Sequence, residues 1–365
     1  MKNIKNLYIT IFSTAFVILI CEISLGLINY SKHKNWEKKF AHEWKEILTT
    51  QNIEKYISPK NFLSLKINSQ PIFPLTQTSN KRILVCNEHE WVTINTDRYG
   101  FNNLNRYWDQ DVDFVVIGDS FTFGHCVKTE DNFVSNLSSF SNLNGINLGQ
   151  GGVGPLLSFA VLKEFGIALN PKKVIHLIYE NDITDLAIEL QNSFLTQTYL
   201  NNNKLQNLLF KQKEVDDLLL NNPEFSIDNI FKKRMEMYDN IYKQILNKTL
   251  KLGNLRERLS FVRKTNVNQD YTQVFNFLKK INKYLKNKNI EYFLVIITNP
   301  AKKTKSKNKE LAKFISKISE ENIEYINSDD LFKNLKIKEY WRGHYNELGY
   351  KILAKKFLEK YQIDK

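Results

Sequence analysis

The sequence has 365 residues, 42% of them hydrophobic and 25% charged, which is the composition of an ordinary folded protein. A chain of this length holds one large domain with additions, or two domains. The formal net charge is +13, but the basic excess is spread as Lys through Lys- and Asn-rich segments and forms no Arg-rich stripe. This pattern favours solubility and proximity to an anionic lipid surface as the reason for the charge, and no nucleic-acid partner is predicted.

The N-terminal segment over residues 7–30, LYITIFSTAFVILICEISLGLINY, is long and apolar enough to cross a bilayer, with Glu22 as its one charge. No small-x-small cleavage site follows it, and Ile20 before Cys21 argues against lipoprotein processing. We therefore predict an uncleaved, single-pass transmembrane anchor over residues 1–30. Glu22 lies toward the far end of the span, where we expect its side chain to reach the interface.

Residues 31–110 are predicted to form a stalk and an N-terminal β extension. The stretch NWEKKFAHEWKEILTTQNIEKYI has the pattern of an amphipathic helix, and KRILVCNEHEWVTINTDRYGFNN that of half-buried β structure ending in a Gly turn. Cys86 lies in this extension and Cys126 follows it; the two thiols either pair in an oxidising compartment or are small buried residues. The sequence has no His/Cys cluster with metal-ligand spacing, so neither a metal nor a cofactor is predicted.

Residues 111–365 are predicted to form an α/β domain, because short apolar strands alternate with helices and this order is typical of βαβ units and a parallel sheet. The predicted strands are DFVVIG, GINLG, KKVIHLIY, EYFLVIITNP and IEYINS. The alternation lapses over about 188–270, a helical, Asn- and Lys-rich stretch too long for a plain connection. We interpret it as a helical insertion, either a lid over a site or a solvated decoration.

Polar residues suited to one reaction follow three of these strands. Ser120 ends the first strand, a Gly-rich loop (NLGQGGVGP) ends the second, and Asn181 follows the third. Because ligands gather beyond the carboxyl ends of parallel strands, we expect these groups to meet there. His344 lies just ahead of a C-terminal helix that Asn346 can cap. A serine, a histidine, a glycine N–H and an asparagine amide supply a nucleophile, a base and an oxyanion hole.

These motifs resemble the SGNH (GDSL-like) hydrolase family. VIGDSFTFG is similar to its first block, NLGQGGVG to the second, YENDITD to the third and HYNELGY to the last, while INTDRYGFNN resembles the segment before the nucleophile in membrane-anchored bacterial members. The resemblance implies a flavodoxin-like three-layer α/β/α fold and acyl-ester chemistry. It also implies Ser120 as nucleophile, His344 as base, and an oxyanion hole of the Ser120 N–H, the Gly152 N–H and the Asn181 side chain.

One position departs from the family pattern. The family has an Asp two or three residues before the histidine, where this sequence has Arg342 and Trp341. A cation cannot accept a hydrogen bond from the imidazole and so cannot fix its tautomer. The candidate substitutes are Glu339, Asp330 or a backbone carbonyl. The sequence leaves three outcomes open: a Ser–His dyad, an acid from elsewhere, or a catalytically decayed site.

The sequence thus predicts a membrane-anchored esterase that cleaves, or transfers, acyl groups on a cell-envelope carbohydrate or lipid. The alternative is a decayed relative that binds carbohydrate or assists assembly. A phosphate-binding protein is disfavoured because the Gly-rich loop lacks a following Lys-Ser/Thr pair. The resemblance implies an extracytoplasmic body, whereas the lysines flanking the anchor slightly favour a cytosolic one.

Overall fold

The computed structural model describes residues 2–64, 72–88, 90–201, 205–239, 247–258, 271–302 and 305–362. The strands are β1 Glu54–Lys55, β2 Arg82–Asn87, β3 Trp91–Asn95, β4 Phe114–Gly118, β5 Gly145–Asn147, β6 Lys173–Ile178, β7 Glu291–Ile296 and β8 Glu324–Asn327. The main helices are α1 Lys2–Thr50, α2 Ser120–Phe123, α3 Phe133–Ser141, α4 Pro155–Val161, α5 Asp182–Glu189, α6 Ser193–Thr196, α7 Gln212–Asn221, α8 Ile227–Asp239, α9 Gly253–Arg258, α10 Thr272–Lys286, α11 Lys305–Glu320, α12 Ile337–Tyr340 and α13 Glu347–Tyr361.

The chain divides into two compact units whose boundaries differ from the predicted ones. The first contains Met1–Asn52 and Pro223–Val267, and the second contains Ile53–Asn222 and Asn268–Lys365. The predicted insertion is therefore split: its first part, with α6 and α7, belongs to the α/β unit, and its second part belongs with α1.

In the first unit, the predicted anchor and stalk form the single helix α1. Its residues Ile4–Ile28 have a mean hydropathy of 2.3 and are long and apolar enough to cross a membrane. Helix α8 packs on the stalk part of α1, where the Arg234 guanidinium lies 4.9 Å from the Trp44 ring centroid. Contacts of this kind stabilise α8 as a helix, because most of the stability of a helix in a protein comes from its tertiary packing.

Glu22 is fully buried in this unit, where we had expected its side chain to reach the interface. Its carboxylate accepts hydrogen bonds from the backbone N–H groups of Asn254 (2.7 Å) and Leu255 (2.6 Å) at the start of α9. These donors satisfy side-chain oxygens that are costly to bury without hydrogen bonds.

In the second unit, five parallel strands form the main sheet in the order β5-β4-β6-β7-β8. Counted along the chain this is 2-1-3-4-5, the flavodoxin-like order. The predicted fold class is therefore confirmed. The chain reverses its direction across the sheet between β4 and β6, and this switch point is where such sheets bind ligands. Ser120 follows β4 and Asn181 follows β6, so both lie at this point.

Helices cover both faces of the main sheet, which is why its strands are nearly continuous apolar runs. On one face Phe114 and Val116 of β4 join a core with α3 and α13, whose Phe133 and Phe357 ring centroids are 6.0 Å apart. The other layer contains α4 and α10, which contact β4 and β7 respectively. The sheet is thus the middle layer of a three-layer α/β/α core.

The N-terminal extension forms a separate three-stranded sheet in the order β1-β2-β3, with β1 parallel and β3 antiparallel to β2. Ile83, Val85 and Ile94 of this sheet share a core with Phe123, three residues after Ser120. The small sheet is thereby held beside the first turn after β4.

Candidate active site

Ser120 begins the four-residue helix α2 directly after β4. The turn is held by Asp119, whose Oδ1 accepts a hydrogen bond of 2.9 Å from the Phe121 N–H. Burial raises the pKa of the Asp119 carboxyl to about 6, although the Phe121 N–H and the charge of His344 oppose the rise. The predicted nucleophile therefore sits on a short, capped turn at the edge of the sheet.

His344 lies against Ser120, as the sequence predicts. The Ser120 Oγ and the His344 Nε2 are 2.8 Å apart, and the ring centroids of His344 and Phe121 are 4.7 Å apart. Asn346 caps α13, because its Oδ1 accepts from the Gly349 N–H at 3.0 Å. This N-terminal cap fixes where the chain enters the helix and so where His344 is presented.

Glu88 is the acid that contacts His344, and sequence reasoning missed it. Its Oε1 lies 2.7 Å from the His344 Nδ1, and its Oε2 accepts from the His344 backbone N–H at 2.9 Å. The Glu88 side chain is 26% exposed and that of His344 19%. Two contacts to one carboxylate fix the imidazole, with Nδ1 as the donor and Nε2 free to accept the Ser120 proton.

The acids that the sequence suggested have other partners. Glu339 accepts from the Lys336 N–H at 2.9 Å, and Asp330 forms an ion pair of 2.8 Å with Lys333. Arg342, which stands where the family has an Asp, donates its backbone N–H to the His344 carbonyl oxygen at 2.8 Å.

One local signal for Glu88 was present in the sequence. Gly343, directly before His344, has a φ of +102°, and a Cβ there would lie 2.5 Å from the Glu88 Oε1. A glycine is needed at this position so that the carboxylate can approach the backbone of His344.

A disulfide between Cys86 and Cys126 joins β2, which ends one residue before Glu88, to the loop after α2, with the two Cα atoms 5.1 Å apart. Of the two alternatives left open by the sequence, the structure has the paired form. Cys86, Cys126 and the His125 imidazole have atoms within 4.8 Å of one another. Disulfide sulfurs lack the thiolate charge that binds a metal, so the arrangement fits a covalent link between the two segments.

Replacing both cysteines by serine (Cys86→Ser with Cys126→Ser) is expected to lower the free energy of unfolding by about 2–4 kcal/mol, because a loop of this size loses its cross-link. Turnover is expected to fall as well, since Glu88 lies two residues from Cys86. Thermal unfolding and an ester assay check both effects. Cys21→Ser, at an exposed free cysteine, is the matched control and should change neither. Equal stability of the double variant and the control would contradict the expectation.

His125 is a second imidazole beside His344, with ring centroids 5.0 Å apart. Burial lowers the pKa of His125 to about 3, with the charge of His344 as a further cause. His125 is therefore neutral at physiological pH and adds no positive charge beside His344.

Backbone N–H groups are available where an oxyanion would form. Among the described residues, the N–H groups of Ser120 and Gly152 have no hydrogen-bond acceptor. The Asn181 Nδ2 donates to the Asp185 Oδ2 at 2.7 Å, and the Asn181 amide also lies close enough to Asp119 to lower that carboxyl's pKa. An oxyanion bound by Asn181 would therefore compete with Asp119 for the second amide proton.

These features define a protein of flavodoxin-like strand order with a serine, histidine and glutamate in one hydrogen-bonded row at the carboxyl edge of its sheet. Such a row has the connectivity of a nucleophile, a base and an orienting acid.

No protein-family model and no curated protein matches the sequence. Solved structures similar to the chain include one described as a lipolytic protein of the G-D-S-L family from Desulfitobacterium hafniense DCB-2, with 14% identity, a TM-score of 0.34, and coverage of 66% of this chain and 95% of that chain. Another is a GDSL-like lipase from Bacteroides thetaiotaomicron VPI-5482, with 15% identity, a TM-score of 0.35, and coverage of 72% and 90%. Likenesses of this size carry no argument about activity, which rests on the site.

Proposed function

We propose that the protein is a serine esterase that cleaves or transfers acyl groups through a Ser120–His344–Glu88 triad. The observation that carries the proposal is the continuous hydrogen-bonded row from the Ser120 Oγ through both imidazole nitrogens to the Glu88 carboxylate. A dyad would leave the Nδ1 side of the imidazole to solvent. The Glu88 contact therefore supports an active triad over a catalytically decayed site.

In the first half-reaction, the Ser120 Oγ attacks the acyl carbonyl carbon while the His344 Nε2 takes the hydroxyl proton. Glu88 stabilises the imidazolium that forms. The tetrahedral oxyanion is held by the N–H groups of Ser120 and Gly152 and by the Asn181 amide. His344 then returns the proton to the departing alcohol oxygen, which leaves an acyl ester on Ser120.

In the second half-reaction, a water or a sugar hydroxyl attacks the acyl-enzyme, with His344 again taking its proton. Water releases a free acid, and a sugar hydroxyl gives a transferred ester. In both cases the bond to the Ser120 Oγ breaks and the proton returns to that oxygen. The two outcomes differ only in which acceptor reaches the acyl-enzyme.

We propose a cell-envelope carbohydrate or lipid as the carrier of the acyl group and an extracytoplasmic position for the α/β unit. The membrane-length apolar segment Ile4–Ile28 supports a membrane location. The Cys86–Cys126 disulfide supports the extracytoplasmic side, because disulfides persist in oxidising compartments and are rare in the cytosol. The disulfide outweighs the lysines that flank the anchor, whose count slightly favours a cytosolic body.

The test uses the full chain in detergent micelles with p-nitrophenyl acetate and an acetylated oligosaccharide as substrates. Release of p-nitrophenol and acetate by the wild type, and not by Ser120→Ala, is the expected result. Acetyl transfer to an added unmodified oligosaccharide would identify the transferase variant. Saturable oligosaccharide binding without turnover of either ester would contradict the proposal and favour the carbohydrate-binding alternative.

A further inference from the structure

The Gly151 carbonyl oxygen accepts two hydrogen bonds from the N-terminal extension, from the Tyr56 hydroxyl at 3.1 Å and from the Ser58 Oγ at 2.7 Å. Burial raises the pKa of the Tyr56 hydroxyl, so it stays protonated and remains a donor. The Ser58 Oγ itself accepts from the Lys60 N–H at 3.3 Å, which is consistent with its own proton being directed at Gly151.

The two hydroxyls also determine where the Gly152 N–H points. The Gly151 carbonyl and the Gly152 N–H belong to one planar trans peptide unit, so they point in opposite directions. Donors on the carbonyl therefore turn the N–H to the far side, and they polarise the peptide so that its N–H becomes a stronger donor. Gly152 has a φ of +76°, and a Cβ there would lie 2.9 Å from the Ser58 Oγ. Only glycine allows Ser58 to come this close.

The backbone between the two hydroxyls is held on both sides by one buried amide. The Gln77 Oε1 accepts from the Ile57 N–H at 2.9 Å, and the Gln77 Nε2 donates to the Ile57 carbonyl oxygen at 2.8 Å. The same Nε2 donates to the Gln150 Oε1 at 3.0 Å, one residue before Gly151. Tyr56 and Ser58 are thus presented from a fixed stretch of chain.

The same segment reaches the second oxyanion donor through an ion pair. The Lys60 ammonium binds the Asp185 carboxylate, whose side chain is only 5% exposed. That carboxylate accepts from the Asn181 Nδ2 at 2.7 Å. Lys60 therefore holds the Asp185 side chain in place, and Asp185 in turn orients the Asn181 amide.

We propose that residues 56–60 are a positioning segment that aims both oxyanion donors, the Gly152 N–H through Tyr56 and Ser58, and the Asn181 amide through Lys60 and Asp185. The inference rests on the proposed esterase function and extends it to a part of the chain outside the α/β sheet. Tyr56 and Ser58 contact the Gly151 carbonyl of the peptide that carries the Gly152 N–H, and Lys60 contacts the carboxylate that holds Asn181. They act on the donors through these groups, so they are positioning residues.

The test is the double variant Tyr56→Phe with Ser58→Ala in the full chain in detergent micelles, with p-nitrophenyl acetate as the probe. The Phe ring keeps the packing of Tyr56 on Phe123, whose ring centroid is 5.3 Å away. We expect kcat to fall about 10-fold and KM to change less than about twofold. The fall in kcat is smaller than the roughly 10²–10³-fold loss on removing a donor completely, because the Gly152 N–H remains and is only less well aimed. Ser58→Thr keeps the hydroxyl and should restore most of the rate.

The matched control removes the same two hydroxyls elsewhere, with Tyr325→Phe and Ser319→Ala on β8 and α11. It should leave kcat unchanged. If thermal unfolding shows that the double variant is not folded, Ser58→Ala alone is compared with Ser58→Thr. The inference would be overturned if the double variant kept the wild-type kcat, whether or not its KM rose. The proposed function would still stand in that case, provided that Ser120→Ala is inactive. A wild type without turnover would overturn both.

Discussion

Ser120→Ala is expected to lower kcat for an acyl ester by about 10⁶-fold, to the level left by substrate binding and the oxyanion donors alone. The physical reason is that the alanine has no oxygen to attack the carbonyl, and His344 has no proton to accept. Steady-state kinetics on p-nitrophenyl acetate measure the effect. Ser319→Ala, which removes a hydroxyl from the exposed surface of α11, is the control. A rate within tenfold of the wild type would contradict a nucleophilic role for Ser120.

Glu88→Gln is expected to lower kcat by about 10³-fold. Loss of the orienting carboxylate costs roughly 10⁴-fold where that group is buried. Glu88 is 26% exposed, so water can replace part of its contact with His344 and the loss should be smaller. Glutamine also offers an amide N–H that favours the wrong imidazole tautomer. The measurement is kcat on the same ester.

The matched control for this change is Glu90→Gln, two residues further along and on the same cleft as His344. It should keep the wild-type rate, because no hydrogen bond joins Glu90 to His344 among the described residues. Adding Glu88→Gln to Ser120→Ala should cost nothing further, since residues that act as one unit are not additive. An unchanged rate in Glu88→Gln would show that His344 works with Ser120 as a dyad.

Much of the fold follows from local patterns in the sequence. The alternation of short apolar strands with helices predicted the parallel sheet, since strand and helix periodicities are properties of neighbouring residues. Ser120 and His344 were predicted from local signals of the same kind. Ser120 follows a strand that ends in a turn, and His344 precedes a helix that Asn346 can cap. Their mutual contact at 2.8 Å is set by tertiary packing, which brings the loop before α13 to the end of β4.

The remaining parts of the site depend on contacts between distant segments. Glu88 lies 256 residues before His344, and no periodicity or spacing links them. Gly343 is the one local feature that the contact requires, because a side chain there would block the carboxylate. Glu22 is similar, because its partner Asn254 is 232 residues away. Such pairings are set by tertiary packing, which a single sequence does not display.

The N-terminal extension has a larger role in the site than the sequence indicated. In the sequence it was a connection between an anchor and an α/β domain. In the structure it contributes Glu88 to the histidine, Cys86 to a cross-link, and Tyr56 and Ser58 to the Gly-rich loop. We therefore expect truncations that remove residues 53–95 to lose the site as well as the small sheet.

The most direct measurement of the central claim, that Ser120 is activated by His344 and Glu88, is fluorophosphonate labelling of the full chain in detergent micelles followed by peptide mass spectrometry. We predict covalent modification at Ser120 in the wild type, slower modification in Glu88→Gln, and none in His344→Ala. A folded wild type whose Ser120 stays unmodified, or a His344→Ala variant labelled at the wild-type rate, would contradict the account.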